Sequence, residues 1–246
     1  MTTLLVPARF NGPARSGNGG FVAGSLAEHV PHVTGHAVEV TLRTPPPLDT
    51  ALTVRDEDDR TLLVDGEVVV AEGRAVEDEL EPVEEVDPDR ALAAMARYPG
   101  LTHHPFPTCF ACGPDRAEGD GLRIFPGPMG ADRGLVASAW QPQPGHAEST
   151  DLVDGVQRVG VATTWASLDC VGGWSEDLEG RPCVLGRMTA RVDALPVVGE
   201  PHVVVGRFLG RDGRKSATAS TLYDADGRVV ATARHTWIQV DPALFG

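Results

Sequence analysis

The sequence predicts an α+β fold in which one helix and a set of antiparallel strands occur twice. Three observations carry that expectation. A glycine-rich loop leads into a helical stretch, "GFVAGSLAEHV" (residues 20–30), and four strand-like runs follow it. After an acidic segment the same order returns, with a second helical stretch at 153–173 and four more strand-like runs. The two series also match in detail: "TLLVDGEVVVAEGR" (61–74) aligns with "TLYDADGRVVATAR" (221–234), sharing Thr-Leu, Asp-Gly, paired valines, alanine and arginine. One helix facing several strands buries its apolar surface when the sheet wraps around it. A duplicated unit can then pair its sheets edge to edge within one chain, as two-fold dimers do between chains. The expectation is two antiparallel sheets, each wrapped around a central helix. Residues 1–76 form the first repeat, 77–105 an acidic connector with a short helix, and 106–246 the second repeat.

Each element has a local reason. "TLLVPA" (3–8) reads as a strand. "HAVEVTLRT" (36–44), "TALTVRD" (50–56), "TLLVDG" (61–66) and "EVVVAEGRAV" (67–76) follow the first helix, with Asp65-Gly66 as a hairpin turn. "DPDRALAAMARYPG" (87–100) reads as a short helix with Asp87 as N-cap, Pro88 in its first position and Gly100 past its end. Strands are expected at 121–127 and 133–140, before the helix at 153–173 that Gly172-Gly173 would stop. The closing strands are 182–195, 202–210, 215–224 and 228–240.

Composition bounds the function. Of 246 residues, 41% are hydrophobic, enough for a core, and 35 acidic against 21 basic side chains give a net charge of −14. That balance argues against nucleic acid as a partner. No apolar run reaches membrane-spanning length, so no membrane partner is expected and a cytoplasmic location is the default. The run "VEDELEPVEEVDPD" (76–89) reads as a solvated connector, and "RFLGRDGRK" (207–215) as a charged hairpin tip. Four cysteines fit a reducing compartment better than a disulfide scaffold. Cys109-x-x-Cys112 with His103 and His104 upstream contains enough ligands for zinc, but no second pair stands at zinc-site spacing. Buried thiols and no metal are therefore expected.

The glycine loop "RSGNGGFVAG" (15–24) fits neither phosphate motif: valine ends the dinucleotide pattern and no lysine follows as in a P-loop. Its "NGGFVAGSLAE" (18–28) resembles the helix opening of hotdog-fold acyl-CoA thioesterases of the phenylacetyl-CoA and 4-hydroxybenzoyl-CoA type. Asn18 stands where that family has histidine, before Gly19 and Gly20. The family's acidic position falls on Ala27, with Glu28 one residue late. In the second half Gly160-Val161-Ala162 replaces His-Gly-Gly, while Asp169 occupies the acidic position. The resemblance implies a double hotdog with one competent site. Gly19 and Gly20 would hold the developing oxyanion with helix N-terminal N–H groups, and Asp169 would act as base or nucleophile. Asn18, Ser16, Arg15, Trp165 and Glu28 are the candidate substrate-binding residues.

It further implies a small-molecule acyl thioester as substrate, with coenzyme A as part of that substrate and no other cofactor. The chain would be a monomer built as a pseudo-dimer, or a homodimer of double hotdogs. The two broken motifs keep a second expectation open, a non-catalytic acyl-CoA or lipid-binding module. A hotdog dehydratase fits less well, because neither helix carries a paired Asp and His.

Overall fold

The computed structural model describes residues 2–31, 35–130, 132–147, 155–241 and 243. Among the described residues there are eleven strands and three α-helices, with short 3₁₀ turns between them. The first half contains β1 (Thr2–Leu5), α1 (Gly19–Ala27), β2 (Ala37–Leu42), β3 (Ala51–Glu57), β4 (Arg60–Asp65) and β5 (Val68–Val76). Next comes α2 (Pro88–Met95). The second half contains β6 (Gly127–Met129), β7 (Asp132–Trp140), α3 (Val161–Trp174), β8 (Cys183–Val192), β9 (His202–Asp212), β10 (Lys215–Tyr223) and β11 (Val229–Gln239).

All the strands join one antiparallel sheet in the order β1-β3-β4-β5-β2-β8-β11-β10-β9-β7-β6. The two sheets expected to meet edge to edge are here one continuous sheet. The halves meet at β2 and β8, where Val38 pairs with Ala190 and Val40 with Met188, so the wrapped surface is continuous. Outward from that junction, β2-β5-β4-β3-β1 mirrors β8-β11-β10-β9-β7, and β6 has no counterpart among the described residues. Each half places its helix immediately before the strand at the junction.

The sheet encloses α1 and α3, which is why neither helix has a polar face: every residue of α1 after Gly19 is buried, and so is every residue of α3 after Val161. The two helices cross in close contact. A methyl group on Gly20 would lie 2.6 Å from Asp169 Cβ, and one on Gly24 would lie 2.8 Å from Ala162 Cα.

Several local expectations need correcting. The helix expected at 153–173 starts only at Val161; residues 155–160 are not helical, Gly160 caps the helix in an extended conformation, and 153–154 lie outside the described residues. Its far end runs through Gly172-Gly173 to Trp174, because these glycines let the helix settle onto the sheet. A methyl on Gly172 would meet His235 Nδ1 at 2.7 Å, and one on Gly173 would meet the Trp237 ring at 3.1 Å. The strand expected at 121–127 is irregular: Arg123 takes a positive φ of 53° and Pro126 follows, so regular pairing begins only at Gly127. The first helix stops at Ala27, and α2 ends at Met95 with Pro99–Leu101 forming a separate 3₁₀ turn. Asp87 does cap α2, its carboxylate accepting from the Arg90 N–H at 3.1 Å.

The acidic connector is more than a solvated link. Its carboxylates are exposed, but Leu80, Val83 and Val86 are buried. The Val83 N–H donates to Thr221 Oγ1 at 2.9 Å, and the Tyr223 hydroxyl donates to the Val83 carbonyl. Val83 and Val86 join Ala91 and Ala94 of α2 and Val203 and Val205 in a second core, separate from the one that holds α1 and α3. Acidic and apolar residues alternate so that this strap holds to the sheet while its charges face water. Among the described residues, no helix is long and apolar enough to cross a membrane.

Candidate active site

The head of α1 is set by Asn18. Its side-chain oxygen accepts from the Phe21 N–H at 2.9 Å, an N-cap, while its amide nitrogen donates to Asp169 Oδ2 at 3.0 Å. The Gly20 N–H donates to the same oxygen at 2.9 Å. A carboxylate from the middle of α3 is thus held at the N-terminus of α1, where the exposed N–H groups and the helix dipole favour negative charge. The other oxygen, Oδ1, is buried and has no hydrogen-bond partner.

Asp169 is pushed up to about 7, chiefly by burial and in part by neighbouring Cys109; the Gly20 N–H and the Asn18 amide work in the opposite direction. A carboxyl group near neutrality, with one oxygen fixed and the other unpartnered, is suited to exchange a proton with a bound water.

Beside it lies a cleft of about 200 Å³. Pro45, Pro46 and Leu42 come to its walls from the first half, and Leu178, Leu185 and Ile238 from the second. Asn18, Gly19 and Asp169 also line it. As the first residue of α1, Gly19 carries an amide that the helix itself cannot satisfy. Its lack of a side chain keeps the approach to Leu185 open, since a methyl there would lie 2.7 Å from Leu185 Cβ.

The remaining sequence candidates separate. Ser16 is buried and lines the cleft. Arg15 is exposed on the glycine loop and does not line it. Trp165 is buried in the seam between the helices, where a methyl on Gly24 would strike its Cβ at 2.8 Å; the indole supports the helix crossing instead of lining the cleft. Glu28 caps the far end of α1 and is exposed, so it cannot mirror Asp169. Gly20 departs from expectation too, because its N–H is committed to the Asp169 carboxylate instead of standing free for an oxyanion.

Comparison with known proteins extends this picture. No protein-family model and no curated protein matches the chain. Solved structures match it in shape along its whole length. An acyl-CoA thioesterase II from Mycobacterium marinum is 15% identical with a TM-score of 0.55, covering 99% of this chain and 94% of that one. The tesB protein of Mycobacterium avium subspecies paratuberculosis gives 12%, 0.55, and 96% and 91%. A conserved protein with a hot dog fold from Alicyclobacillus acidocaldarius gives 12%, 0.56, and 98% and 93%. The chain has the hotdog fold. Its two central hotdog helices are α1 and α3, and the cleft opens at the N-terminal end of α1.

One part of the cleft was not assembled from the sequence. Cys109 and Cys112, in the loop before β6, meet Cys170 of α3, and the three sulfurs lie within 4.8 Å of one another. All four cysteines of the chain are free thiols. Donation from the Cys112 and Cys170 thiols holds Cys109 well below the ordinary thiol value, while burial and its proximity to Cys109 push Cys112 up. His104 Nε2 lies 3.3 Å from Cys112 Sγ, and burial holds the imidazole below its usual value. The Cys-x-x-Cys spacing was visible in the sequence, but Cys170 comes from a different element and carries no signal beyond its place next to Asp169.

Proposed function

We propose that the chain hydrolyses an acyl thioester, of coenzyme A or a related carrier, with Asp169 as the base for the attacking water. The observation that carries this reading is the meeting of Asp169, from the helix of one half, with Asn18 and Gly20, from the helix of the other, at the head of an apolar cleft. The acyl chain would lie along the apolar walls, with its carbonyl at the Gly19 N–H. Asp169 Oδ1 would take a proton from water, and the thiolate of the carrier would leave. These groups need no cofactor beyond the coenzyme A of the substrate.

The mirrored strand order supports a tandem duplication, with the monomer acting as a pseudo-dimer that can pair again. Only one site is competent in this reading, because the position in α1 equivalent to Asp169 is Ala27, seven residues after Gly20 as Asp169 is seven after Ala162. The engaged Gly20 N–H favours a second reading, an acyl-CoA or lipid-binding module that does not turn over.

Release of free thiol from a panel of acyl-CoAs separates the two. Wild type is expected to turn over at least one of them, and Asp169→Asn, nearly isosteric, to lower kcat by about 100-fold or more. Equal rates for the two proteins would remove Asp169 from the chemistry. Tight acyl-CoA binding without hydrolysis would establish the binding module.

A further inference from the structure

We propose that Cys109, Cys112 and Cys170 form a three-thiolate site for a zinc ion in the wall of the cleft, with the fourth coordination position turned toward the cleft. The inference is independent of thioester hydrolysis and rests on the sulfur cluster and its surroundings.

Geometry comes first. Cys109 Sγ and Cys170 Sγ are 3.6 Å apart, and Cys112 Sγ is within 4.8 Å of both. A tetrahedral zinc ion about 2.3 Å from each sulfur would hold them about 3.8 Å apart, so binding needs a slight spreading of the Cys109–Cys170 pair and at most about 1 Å of approach by Cys112. The loop is shaped to present its two thiols together. Gly113 closes it by donating to the Cys109 carbonyl at 2.9 Å, and a methyl on Gly113 would lie 2.6 Å from Cys109 N and O.

The surroundings supply hydrogen-bond donors to the sulfurs. The Phe106 N–H donates to His104 Nδ1 at 2.9 Å, which places the imidazole proton on Nε2, facing Cys112 Sγ. His104 is therefore a donor to a ligand sulfur and not itself a ligand. The Asn18 amide lies 3.8 Å from Cys109 Sγ and 4.0 Å from Cys170 Sγ. The buried Trp174 N–H, without a partner of its own, adds a donor near Cys112. Neutral thiols, as weak acceptors, gain little from such donors. Three buried thiolates at these separations would repel one another strongly unless a cation lay between them. A thiolate-preferring divalent ion satisfies both conditions, and an all-sulfur donor set selects zinc over magnesium or calcium. On binding, the three thiols release their protons to solvent. All three cysteines line the cleft, which provides the entry path and leaves the fourth position accessible.

The test uses the full chain. Protein stripped with chelator under reducing conditions is titrated with Co²⁺ and then Zn²⁺. The expected result is about one Co²⁺ per chain, with thiolate-to-cobalt charge-transfer bands and intense tetrahedral d–d bands that Zn²⁺ abolishes. Cys112→Ser is expected to weaken binding by about 100-fold or more. His104→Phe should weaken it by about 10- to 100-fold while leaving the charge-transfer bands in place. Cys183→Ser, which removes the fourth cysteine from outside the cluster, should bind like wild type. If a serine variant fails to fold, the wild-type spectrum still decides. Folded, fully reduced wild type that takes up neither ion would overturn the proposal. So would equal loss of binding in Cys183→Ser, or isolation of the cluster as a disulfide that forms in preference to the metal site.

Discussion

Asn18 has two tasks in one side chain, and they can be separated. Its oxygen caps α1, and its amide nitrogen fixes the Asp169 carboxylate. Asn18→Ala loses both and is expected to lower stability by about 1 kcal/mol, the usual cost of a lost N-cap, while also lowering turnover. Asn18→Ser restores a capping oxygen but not the amide, so stability should return and turnover should not. Urea denaturation paired with steady-state rates checks this, and full turnover in the serine variant would show that the amide does not position the base. At this scale the sequence was partly legible. The glycine step in one half and the acid in the other pointed to Asp169 and Gly20 as partners, and they are in contact. The thiol cluster was only half legible: Cys109-x-x-Cys112 shows in the spacing, but Cys170 comes from a different element and leaves none to read. Trp165, a candidate binding residue, packs against Gly24, because on a fully enclosed helix its face meets the other helix.

Helices α1 and α3 approach each other through glycine, and that limits what α1 can tolerate. Gly24→Ala would gain about 1 kcal/mol in helix propensity. Its methyl, however, would sit 2.8 Å from both Ala162 Cα and Trp165 Cβ, and backbone on one side cannot yield. Overpacking of this kind costs about 1–3 kcal/mol, so a net loss in Tm is expected on calorimetry. A Tm equal to or above wild type would mean the helices separate easily. The same physics explains where the elements were misread. Gly172-Gly173 has the composition of a helix stop, yet here the pair sits inside α3 because the sheet lies too close for a side chain. Conversely, strands and turns governed by local chemistry, such as the Asp65-Gly66 hairpin, fell where the sequence put them: Asp65 pairs with Val68 across the turn. The connector misled because its charges dominate its composition, while three well-spaced apolar residues decide its packing.

Across the whole molecule, the continuous sheet and the crossing helices tie the two halves into one cooperative unit, and a buried histidine offers a way to test that. His235 on β11 lies under Gly172 of α3, with Nδ1 3.1 Å from Thr218 Oγ1, which also accepts from the Trp237 indole N–H at 3.1 Å. Burial holds the ring down to about 4, below the ordinary histidine value, with the Thr218 and Leu168 backbones pulling weakly the other way. Between the ordinary value and 4 the unfolded chain binds a proton that the folded chain refuses. Its contribution is therefore fully present above about pH 6.5 and is lost as pH falls toward 4, amounting to about 2 kcal/mol between pH 7 and pH 5. His235→Gln cannot titrate, so its stability should fall less steeply over that interval by about the same amount. All four tryptophans lie between residues 140 and 237, so their fluorescence reports on the second half and, through Trp165 against Gly24, on the helix seam, whereas far-ultraviolet circular dichroism follows both halves in full. If the halves unfold together, the two signals have the same urea midpoint at pH 7 and at pH 5, and both shift with His235. Two separated midpoints at pH 5, with only the fluorescence sensitive to His235, would show that the junction between β2 and β8 does not couple the halves.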